Sequence, residues 1–358
     1  MKHHQHQKII YIVPPIKYMP LAVTINISER TRLIKQLGHS VRHVVYRGAW
    51  SVRGWLHLYR TSAKADTLII RIDGSCVGDA YTLIKLVRPG LNIVWEVHGF
   101  PEENAPTDAP IFRHRVKKYI RWALSFFVDT NIYISEELKR YAEPRLAHRC
   151  SAVIPNFVTR HSPHFSRQTT RLSPAVQKKI RDKFVVLWGG SPQFPWQGID
   201  TIEKLSEYIA QIDPEIQFVL VGKDSWHPLK ESRNLLQIET LQRSQYRMLL
   251  KKADVCLALY TKPPQTPLYF FPMKILDYMY YKKPVIASSF PVLSSIITHN
   301  TDGFLVSNTI QDIAFYIMKL KNNPDLKRTI GEAAHKTVTD RFSEDTAKKA
   351  LRDVFHAL

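Results

Sequence analysis

The sequence predicts an α/β protein made of two domains, each a doubly wound parallel sheet of the Rossmann kind. Strand-like apolar runs alternate with helix-like amphipathic runs along the chain, which is typical of parallel sheets covered by helices. The chain has 358 residues, more than one ordinary domain contains. A polar stretch at 159–171 lacks periodicity and predicts a linker. We therefore expect a first domain over 1–165 and a second over 166–342.

The first half contains six short apolar runs that predict strands. They lie at 9–13, 40–46, 67–72, 92–97, 131–134 and 151–154. Amphipathic periodicity predicts helices near 28–37, 80–87, 112–127 and 135–140. In the third of these helices an apolar stripe is expected to pack on the sheet: Phe112, Val116, Tyr119, Ile120, Ala123 and Phe127.

The alternation restarts after the predicted linker. Strands are predicted at 184–188, 217–221, 235–238, 255–259 and 284–287. Helices are predicted at 200–212, 245–252, 312–321 and 325–340, and at the segment that opens near Pro272. A last helix begins at Ser343, followed by Glu344 and Asp345, whose negative charges suit the first turn of a helix.

The charge balance is strongly basic. The chain carries 51 Lys and Arg against 31 Asp and Glu, a net charge of +20, and residues 1–170 hold 25 basic and 12 acidic residues. Such an excess favours a nucleic acid, an anionic membrane surface or a phosphate-bearing substrate as partner. No stretch mixes basic residues with base-stacking aromatics in a nucleic-acid motif, so we do not expect nucleic-acid binding.

The remaining composition fits a cytoplasmic protein. Cys76, Cys150 and Cys256 lie far apart, so neither a disulfide framework nor a zinc site is expected. No run reaches the roughly 18 apolar residues of a membrane-spanning helix. The apolar run at 9–13 is too short for a secretory signal, and we interpret it as the first strand.

Two glycines follow the first strand of the second half. Ligands of open parallel sheets bind beyond the carboxyl ends of strands, beside helix N-termini. Here the strand ends at Gly189, Gly190 and Ser191, and Gln197 and Gly198 lead into the next helix. Glycine lets the backbone approach a phosphate closely, and a helix N-terminus presents free N–H groups. The same pattern also fits a plain strand-to-helix connection.

The segment at 272–288 places a cation and an acid near a helix N-terminus. Lys274 and Asp277 are three residues apart and share one helix face. The carboxylate suits the two hydroxyls of a ribose, and the lysine with the free N–H groups suits a diphosphate. An ordinary surface ion pair between these two residues is the alternative interpretation.

Ordered sequence blocks in the second half resemble a known family. They lie at 189–200, 218–224, 251–259, 272–279, 283–288 and 300–306, and Pro272-Met273-Lys274-Ile275-Leu276-Asp277-Tyr278-Met279 is the most specific. From about 185 to 351 the chain resembles the nucleotide-sugar-binding half of the family 4, GT-B-fold glycosyltransferases of the group 1 type. In that fold the helix after Ser343 joins the first domain, so the resemblance predicts that 343–358 belongs with 1–165.

The first half resembles the acceptor-side domain of the same family. The matching blocks are Glu96-Val97-His98-Gly99, Ile134-Ser135-Glu136-Glu137-Leu138 and Val153-Ile154-Pro155-Asn156. The resemblance implies two such domains facing a central cleft. It implies a retaining transfer of a sugar from a nucleoside-diphosphate sugar to a hydroxyl acceptor, in polysaccharide or glycolipid synthesis, with no cofactor and no metal required.

Candidate site residues follow from the motifs and the resemblance together. The predicted catalytic residues are His98, Lys274 and Asp277. The predicted donor-binding residues are Gly189, Gly190, Ser191, Gln197, Gly198, Gly222, Lys223, Pro272, Met273, Lys274, Ile275 and Asp277. The predicted acceptor-side residues are Asp73, Gly74, Glu96, His98, Gly99 and Glu102. A structural role for His98, satisfying local hydrogen bonds, stays open.

Some positions depart from the family pattern. Ser191 and Gln197 stand where the family has an Arg and a Lys, and Tyr269 stands where it has the first Glu of its motif. Positive charge at the leaving diphosphate would then come from Lys274, helped by Lys223 or Lys262. Two alternatives remain open: a non-catalytic sugar-nucleotide-binding relative, and a sugar-nucleotide epimerase of the same fold.

A basic amphipathic helix at 112–127 suggests where a membrane would be contacted. Its basic residues are Arg113, Arg115, Lys117, Lys118 and Arg121. Polybasic clusters are attracted to anionic lipid, so these residues predict a peripheral contact with the inner face of the membrane and suit a lipid-linked acceptor. A helix packed on its sheet with a solvated charged face is the alternative interpretation.

Overall fold

The protein is described by a computed structural model covering residues 6–14, 21–45, 52–74, 78–100, 111–147, 150–159, 171–191, 195–222, 233–238, 241–261 and 270–358. The described chain divides into two compact units. Unit 1 comprises the described residues within Met1–Asn156, Pro264–Phe271 and Glu344–Leu358, and unit 2 those within Phe157–Pro263 and Pro272–Ser343.

Unit 1 is built on a six-stranded parallel sheet. The sheet consists of β1 (Lys8–Val13), β2 (Ser40–Val45), β3 (Thr67–Ile72), β4 (Asn92–Val97), β5 (Thr130–Tyr133) and β6 (Cys150–Val153). The strand order is β2-β1-β3-β4-β5-β6. The first five helices belong to unit 1: α1 (Leu21–Gln36), α2 (Val52–Ser62), α3 (Ile84–Val87), α4 (Ile111–Ser125) and α5 (Glu136–Ala142). The next helix, α6 (Pro174–Ile180), belongs to unit 2. A 3-10 turn, Asp79–Leu83, precedes α3.

Unit 2 repeats this architecture with a second six-stranded parallel sheet. Its strands are β7 (Phe184–Gly189), β8 (Ile216–Val221), β9 (Leu235–Ile238), β10 (Val255–Ala258), β11 (Val285–Ser288) and β12 (Phe304–Val306). The order is β12-β11-β10-β7-β8-β9. The other helices are α7 (Ile199–Ile212), α8 (Arg243–Lys252), α9 (Met273–Tyr280), α10 (Pro291–Ser294), α11 (Ile310–Asn322), α12 (Pro324–Arg341) and α13 (Glu344–Ala357). Of these, α13 belongs to unit 1.

The central strands are buried on both faces, which is why their sequences are continuous apolar runs. Every residue of β3, β7 and β8 is buried, and side chains such as Trp188 and Phe218 fill the interior of unit 2. The predicted fold class, two doubly wound parallel sheets with flanking helices, is confirmed.

Each strand order reverses at one place, and that place positions the site. In unit 1 the reversal lies between β1 and β3, and in unit 2 between β7 and β10. The connections leave a crevice beyond the carboxyl ends of the strands at such a switch point. In unit 2, Gly189 ends β7, Gly190 follows it, and Tyr260 lies just after β10, so these residues flank the switch point.

The orientation of α4 differs from the prediction. Arg121, expected at a membrane-facing surface, is 1% exposed and forms an ion pair with Asp79. Tyr119, expected in the core, is 68% exposed, and Val116 and Ile120 are also exposed. The membrane contact predicted for Arg121 is therefore wrong, because this guanidinium lies inside unit 1.

Candidate functional site

The Gly189–Gly190 turn at the end of β7 is tightly enclosed. The Gly189 N–H donates to the Tyr278 hydroxyl at 2.9 Å, and the Gly190 N–H donates to the Val221 carbonyl at 3.2 Å. A Cβ at Gly189 would collide with the hydroxyl of Tyr246. Tyr246 thus leaves room only for glycine at 189, Tyr278 holds the backbone of the turn, and both glycine N–H groups are already bonded within the protein.

Lys274, on the first turn of α9, extends its ammonium group over this turn. Its Nζ donates to the Gln197 Oε1 at 2.7 Å and lies 4.6 Å from the ring centre of Trp188 and 4.9 Å from that of Tyr260. A Cβ at Gly190 would stand 3.4 Å from the same Nζ. The absence of a side chain at Gly190 therefore leaves the space beside the ammonium open.

The described contacts of this ammonium are with neutral groups. Burial among them, without a described carboxylate at ion-pair distance, lowers the pKa of Lys274 to about 7. A lysine in such surroundings gains an ion pair when an anion binds beside it. The geometry thus favours an anionic ligand at the carboxyl end of β7.

Asp277 lies one turn further along α9 and has different neighbours. Burial raises the pKa of its carboxyl group, while Arg243 and Arg247 of α8 lower it. None of the ion pairs among the described residues joins Asp277 to Lys274, so the surface ion pair considered as an alternative does not form there. The cation and the acid are therefore presented separately, the cation towards the glycine turn and the acid towards α8.

Other predicted donor-site residues surround the same strand ends. Gln197 is buried and holds Lys274, and Ser191, half-buried, directly follows the glycine turn. Gly198 has φ +70° and caps α7, where a Cβ would lie 2.7 Å from the Leu259 carbonyl oxygen. Gly222 has φ +110° and donates its N–H to Ile238. Lys223, Lys262 and Tyr269 lie outside the described residues.

Apart from Lys274, the start of α9 offers a ligand backbone groups rather than side chains. Pro272 is the N-cap residue of α9, and Met273 is half-buried at its first position. The Ile275 side chain is fully buried in the core, so it cannot touch a ligand. The first N–H groups of α9 lie in the turn that carries Lys274, and among them the Ile275 N–H donates to the Pro272 carbonyl at 3.3 Å.

In unit 1, the predicted acceptor-side residue Glu96 lies in a buried charge network. Its carboxylate meets the Arg30 Nε at 2.7 Å and the Arg71 Nη1 at 3.7 Å, and it accepts a hydrogen bond from the Tyr11 hydroxyl. These cations and His98 hold the pKa of Glu96 well below its usual range, against the effect of burial. Glu96 is 1% exposed, which places it behind the surface as a support for its neighbours.

His98 follows β4 and forms the outer edge of this network. The Arg71 Nη2 donates to its Nδ1 at 3.1 Å, and its Nε2 lies 3.2 Å from the Glu96 Oε1. Because Arg71 donates to Nδ1, the single proton of the neutral ring belongs on Nε2. Burial, with Arg71 beside it, lowers the pKa of His98 to about 4. The imidazole is therefore neutral and held by internal partners.

Arg121 forms hydrogen bonds to the backbone of two other predicted acceptor-side residues. Its Nη1 donates to the Gly99 carbonyl at 2.8 Å, and its Nη2 to the Asp73 carbonyl at 2.6 Å. Gly74 follows Asp73 at the end of β3, and Glu102 lies outside the described residues. The loops after β3 and β4 are thus tied together by one buried guanidinium.

Sequence reasoning missed several residues that shape these sites. Tyr246 and Tyr278 enclose Gly189, and Arg30 and Arg71 hold Glu96 and His98. One signal was available: Arg71 interrupts the otherwise apolar strand Thr67-Leu68-Ile69-Ile70-Arg71-Ile72, and a buried strand tolerates such a charge only with a partner.

Neither a membrane span nor a metal cluster occurs in the part of the chain that the structure describes. Its helices lack the length and apolar character needed to cross a bilayer. The described residues also contain no group of three or more His, Cys, Asp or Glu arranged to hold a metal ion.

Known proteins resemble this chain in sequence over one part. Residues 178–337, which belong to unit 2 apart from Pro264–Phe271, match the family model described as glycosyl transferases group 1. Chitobiosyldiphosphodolichol beta-mannosyltransferase of Debaryomyces hansenii is 23% identical over 269 residues, which is 66% of this chain and 56% of that protein. The chain thus spans little more than half the length of this curated relative.

Solved structures resemble the chain over nearly its whole length. HepE of Anabaena in complex with UDP superposes with a TM-score of 0.73 at 16% identity, covering 98% of this chain and 100% of HepE. Sucrose-phosphate synthase of Thermosynechococcus elongatus gives a TM-score of 0.73 at 14% identity, covering 98% of both chains. The chain therefore has the fold of these GT-B structures.

Proposed function

We propose that this protein is a glycosyltransferase that moves a sugar from a nucleoside-diphosphate sugar to a hydroxyl acceptor. One observation carries the proposal: the Lys274 ammonium, without a described acidic partner, stands over the Gly189–Gly190 turn at the switch point of unit 2. This site lies within the stretch that matches group 1 glycosyl transferases. HepE, which has the same fold, was solved with UDP and with UDP-glucose.

The donor would be held by three kinds of group. Lys274 and the first N–H groups of α9 would bind the diphosphate, where negative charge develops as the sugar leaves. Gly189 and Gly190 would allow close approach rather than donate hydrogen bonds, since both N–H groups are committed. Asp277 would accept hydrogen bonds from the two ribose hydroxyls.

The acceptor side is assigned to unit 1. His98, Asp73, Gly74, Gly99 and Glu102 would line it, and His98 would act as a neutral hydrogen-bonding group because its pKa is low. Transfer would proceed with retention, with no additional cofactor or metal. We also propose a polysaccharide or glycolipid acceptor at the cytoplasmic face of a membrane. The name of the mannosyltransferase relative, which includes a dolichol-linked compound, supports the lipid-linked acceptor.

The donor assignment is tested by Asp277→Ala. Loss of the hydrogen bonds that two ribose hydroxyls donate to the carboxylate should weaken nucleotide-sugar binding about a hundredfold, while circular dichroism and melting stay near wild type. Binding would be measured by calorimetry after a thermal-shift screen of uridine, guanosine and adenosine diphosphate sugars, since occupancy raises stability. Asp200→Ala, on the exposed first turn of α7, is the matched control. Wild-type affinity in Asp277→Ala would remove this residue from the site.

A non-catalytic sugar-nucleotide-binding relative is the second candidate. Gln197 occupies the position of a family lysine, and its neutral amide cannot neutralise the charge of a leaving diphosphate. Chromatography of donor incubated with and without hydroxyl acceptors separates the candidates. A glycosylated acceptor supports transfer, tight donor binding without any product supports the non-catalytic relative, and an isomerised donor formed without acceptor supports an epimerase.

A further inference from the structure

One face of α4 carries large aromatic side chains in contact with solvent. Tyr119, Trp122 and Phe126 are 68%, 40% and 48% exposed. Their rings form a continuous ladder, with centroids 5.4 Å apart between Tyr119 and Trp122 and 5.1 Å apart between Trp122 and Phe126. Contiguous exposed apolar surface of this kind marks an interaction site rather than the scattered apolar residues of an ordinary surface.

The orientation of this ladder is fixed from the other side of α4. Arg121 is buried there, with its Nε 2.6 Å from the Asp79 Oδ2 and its Nη2 3.1 Å from the Asp79 Oδ1. Turning the helix to bury the aromatic rings would break this pair and leave a buried carboxylate without its cation, which is strongly unfavourable. The exposed rings are therefore a built feature of unit 1.

Two helices near α4 in unit 1 also expose apolar side chains. α2, α3 and α4 all adjoin the turn Asp79–Leu83: Trp55 of α2 lies 6.0 Å from Tyr81, Arg121 of α4 binds Asp79, and α3 directly follows the turn. We call the exposed apolar residues of the three helices the aromatic face: Leu56, Tyr59, Leu86, Val87, Val116, Tyr119, Ile120, Trp122 and Phe126.

The charged residues of the three helices have one sign. The sequences of α2, α3 and α4 contain no Asp or Glu, and they contain eight Lys and Arg, of which Lys85 and Arg121 form ion pairs with Asp129 and Asp79. Arg115 and Lys118 are exposed beside the ladder. Such a surface is complementary to a layer of anionic groups, whereas a second copy would bring like charges together. Tyr and Trp flanked by basic residues suit the headgroup level of a bilayer, where one end of the ring is wet.

We infer that the aromatic face inserts into the headgroup region of an anionic bilayer, with α4 lying in the plane of the membrane. The inference replaces the peripheral contact that the sequence predicted through the basic residues, and its link to a lipid-linked acceptor rests on the proposed function. The rings supply insertion and the exposed basic residues supply attraction to lipid phosphates, while Arg121 holds the helix from inside. An acceptor carried by a lipid would then be met at the surface on which the protein rests.

Vesicle co-sedimentation of the full chain tests this inference without donor or acceptor. Vesicles of phosphatidylglycerol and phosphatidylcholine should bind the wild type, and pure phosphatidylcholine should bind it much more weakly. The triple variant Tyr119→Ser, Trp122→Ser, Phe126→Ser should bind the anionic vesicles at least about tenfold more weakly, because three rings no longer insert. The control is Phe315→Ser on α11 of unit 2, where the ring is 58% exposed and partitioning should not change.

Two further measurements distinguish insertion from surface adsorption and from self-association. Brominated lipid should quench the wild-type fluorescence, and Trp122→Phe should lose part of that quenching while still binding. Circular dichroism must show a folded triple variant, and its transfer to a soluble acceptor should equal that of the wild type. Wild-type partitioning by the folded triple variant would overturn the inference. So would a wild-type dimer, seen by ultracentrifugation, that the triple variant abolishes. Failure of the transfer assay alone would leave this result standing.

Discussion

At the scale of single residues, Lys274 shows how a site is prepared for an anion. Its neighbours are an amide oxygen and two aromatic rings, so the free protein holds this lysine with a lowered pKa, about 7. The unfolded chain binds this proton more tightly. Stability should therefore rise with pH between about 7 and the ordinary pKa of lysine. An anion beside Lys274 would reverse this effect by favouring the charged form.

Nucleotide-sugar affinity should consequently fall as pH rises above about 7, by at most about tenfold per pH unit. The sign follows because only the protonated lysine attracts the diphosphate, and the charged fraction declines above its pKa. The diphosphate of a nucleotide sugar is esterified at both ends and has no proton that titrates near neutrality, so calorimetry from pH 6 to 9 with an intact nucleotide sugar reports titration of the protein. The Lys274→Met variant should bind the nucleotide sugar weakly, and its affinity should not change with pH over this range. The same slope in that variant would contradict the assignment.

His98 does not complicate that measurement. Burial and Arg71 lower its pKa to about 4, so the ring stays neutral throughout the range in which Lys274 titrates. A step in the affinity profile near 7 therefore does not come from His98. Two of the three predicted catalytic groups, His98 and Lys274, respond to pH in separate ranges because His98 is buried beside a cation and Lys274 among neutral groups.

At the scale of elements, the position of α9 depends on how closely α12 packs against its end. The His335 Nδ1 lies 2.7 Å from the Tyr280 carbonyl, and Lys282, just beyond α9, has φ +59°. Gly331 on α12 lies so close that a Cβ there would overlap the Lys282 carbonyl oxygen. The glycine therefore has a packing role in the middle of a helix, where it would otherwise be unfavourable.

Gly331→Ala should destabilise the protein by roughly 2 kcal/mol, although alanine is the better helix former by about 1 kcal/mol. The added methyl meets backbone, which cannot turn aside as a side chain can. Denaturant unfolding measures the change. Glu332→Ala, at the adjacent exposed position with a surface ion pair to Lys282, should change stability by less than about 1 kcal/mol. A stabilised Gly331→Ala would show that the two helices do not pack this closely.

At the scale of the whole molecule, the last helix completes the first unit. The Arg32 guanidinium of α1 contacts both carboxylate oxygens of Glu344, with the Nη1 at 2.8 Å and the Nη2 at 2.7 Å. Leu351 and Phe355 of α13 are buried, and Phe355 packs its ring 4.8 Å from that of His39. Unit 1 is therefore assembled from both ends of the chain, although unit 2 lies between them in sequence.

Removal of 344–358 should destabilise unit 1 by about 5 kcal/mol, because several large side chains lose their burial. Hydrogen exchange should accelerate in α1 and β6, and should stay at the wild-type rate in β7, β8 and β10. Glu344→Gln keeps the helix and removes one charge, so it should cost only about 1–2 kcal/mol. Equal acceleration in both sheets would mean that the units unfold together.

Much of the fold could be predicted because short sequence patterns determine where its strands and helices lie. Strands at 67–72, 92–97 and 235–238 have the predicted bounds, since apolar runs bounded by polar turns are unambiguous in a buried parallel sheet. The helix at 52–62 was not predicted, because Gly54 interrupts it and its apolar residues Leu56 and Tyr59 face solvent. β12 was missed because three residues are too few to show a period.

The sequence by itself determined the two alternating α/β patterns, the glycine turn after β7 and the motif that carries Lys274 and Asp277. These depend on neighbours in the chain. Only the tertiary structure decided that Arg121 faces inward and Tyr119 outward, and that Lys274 meets Gln197 rather than Asp277. The direction of a side chain from a helix depends on what packs there, and Asp79 and Gln197 lie 42 and 77 residues away from their partners in sequence.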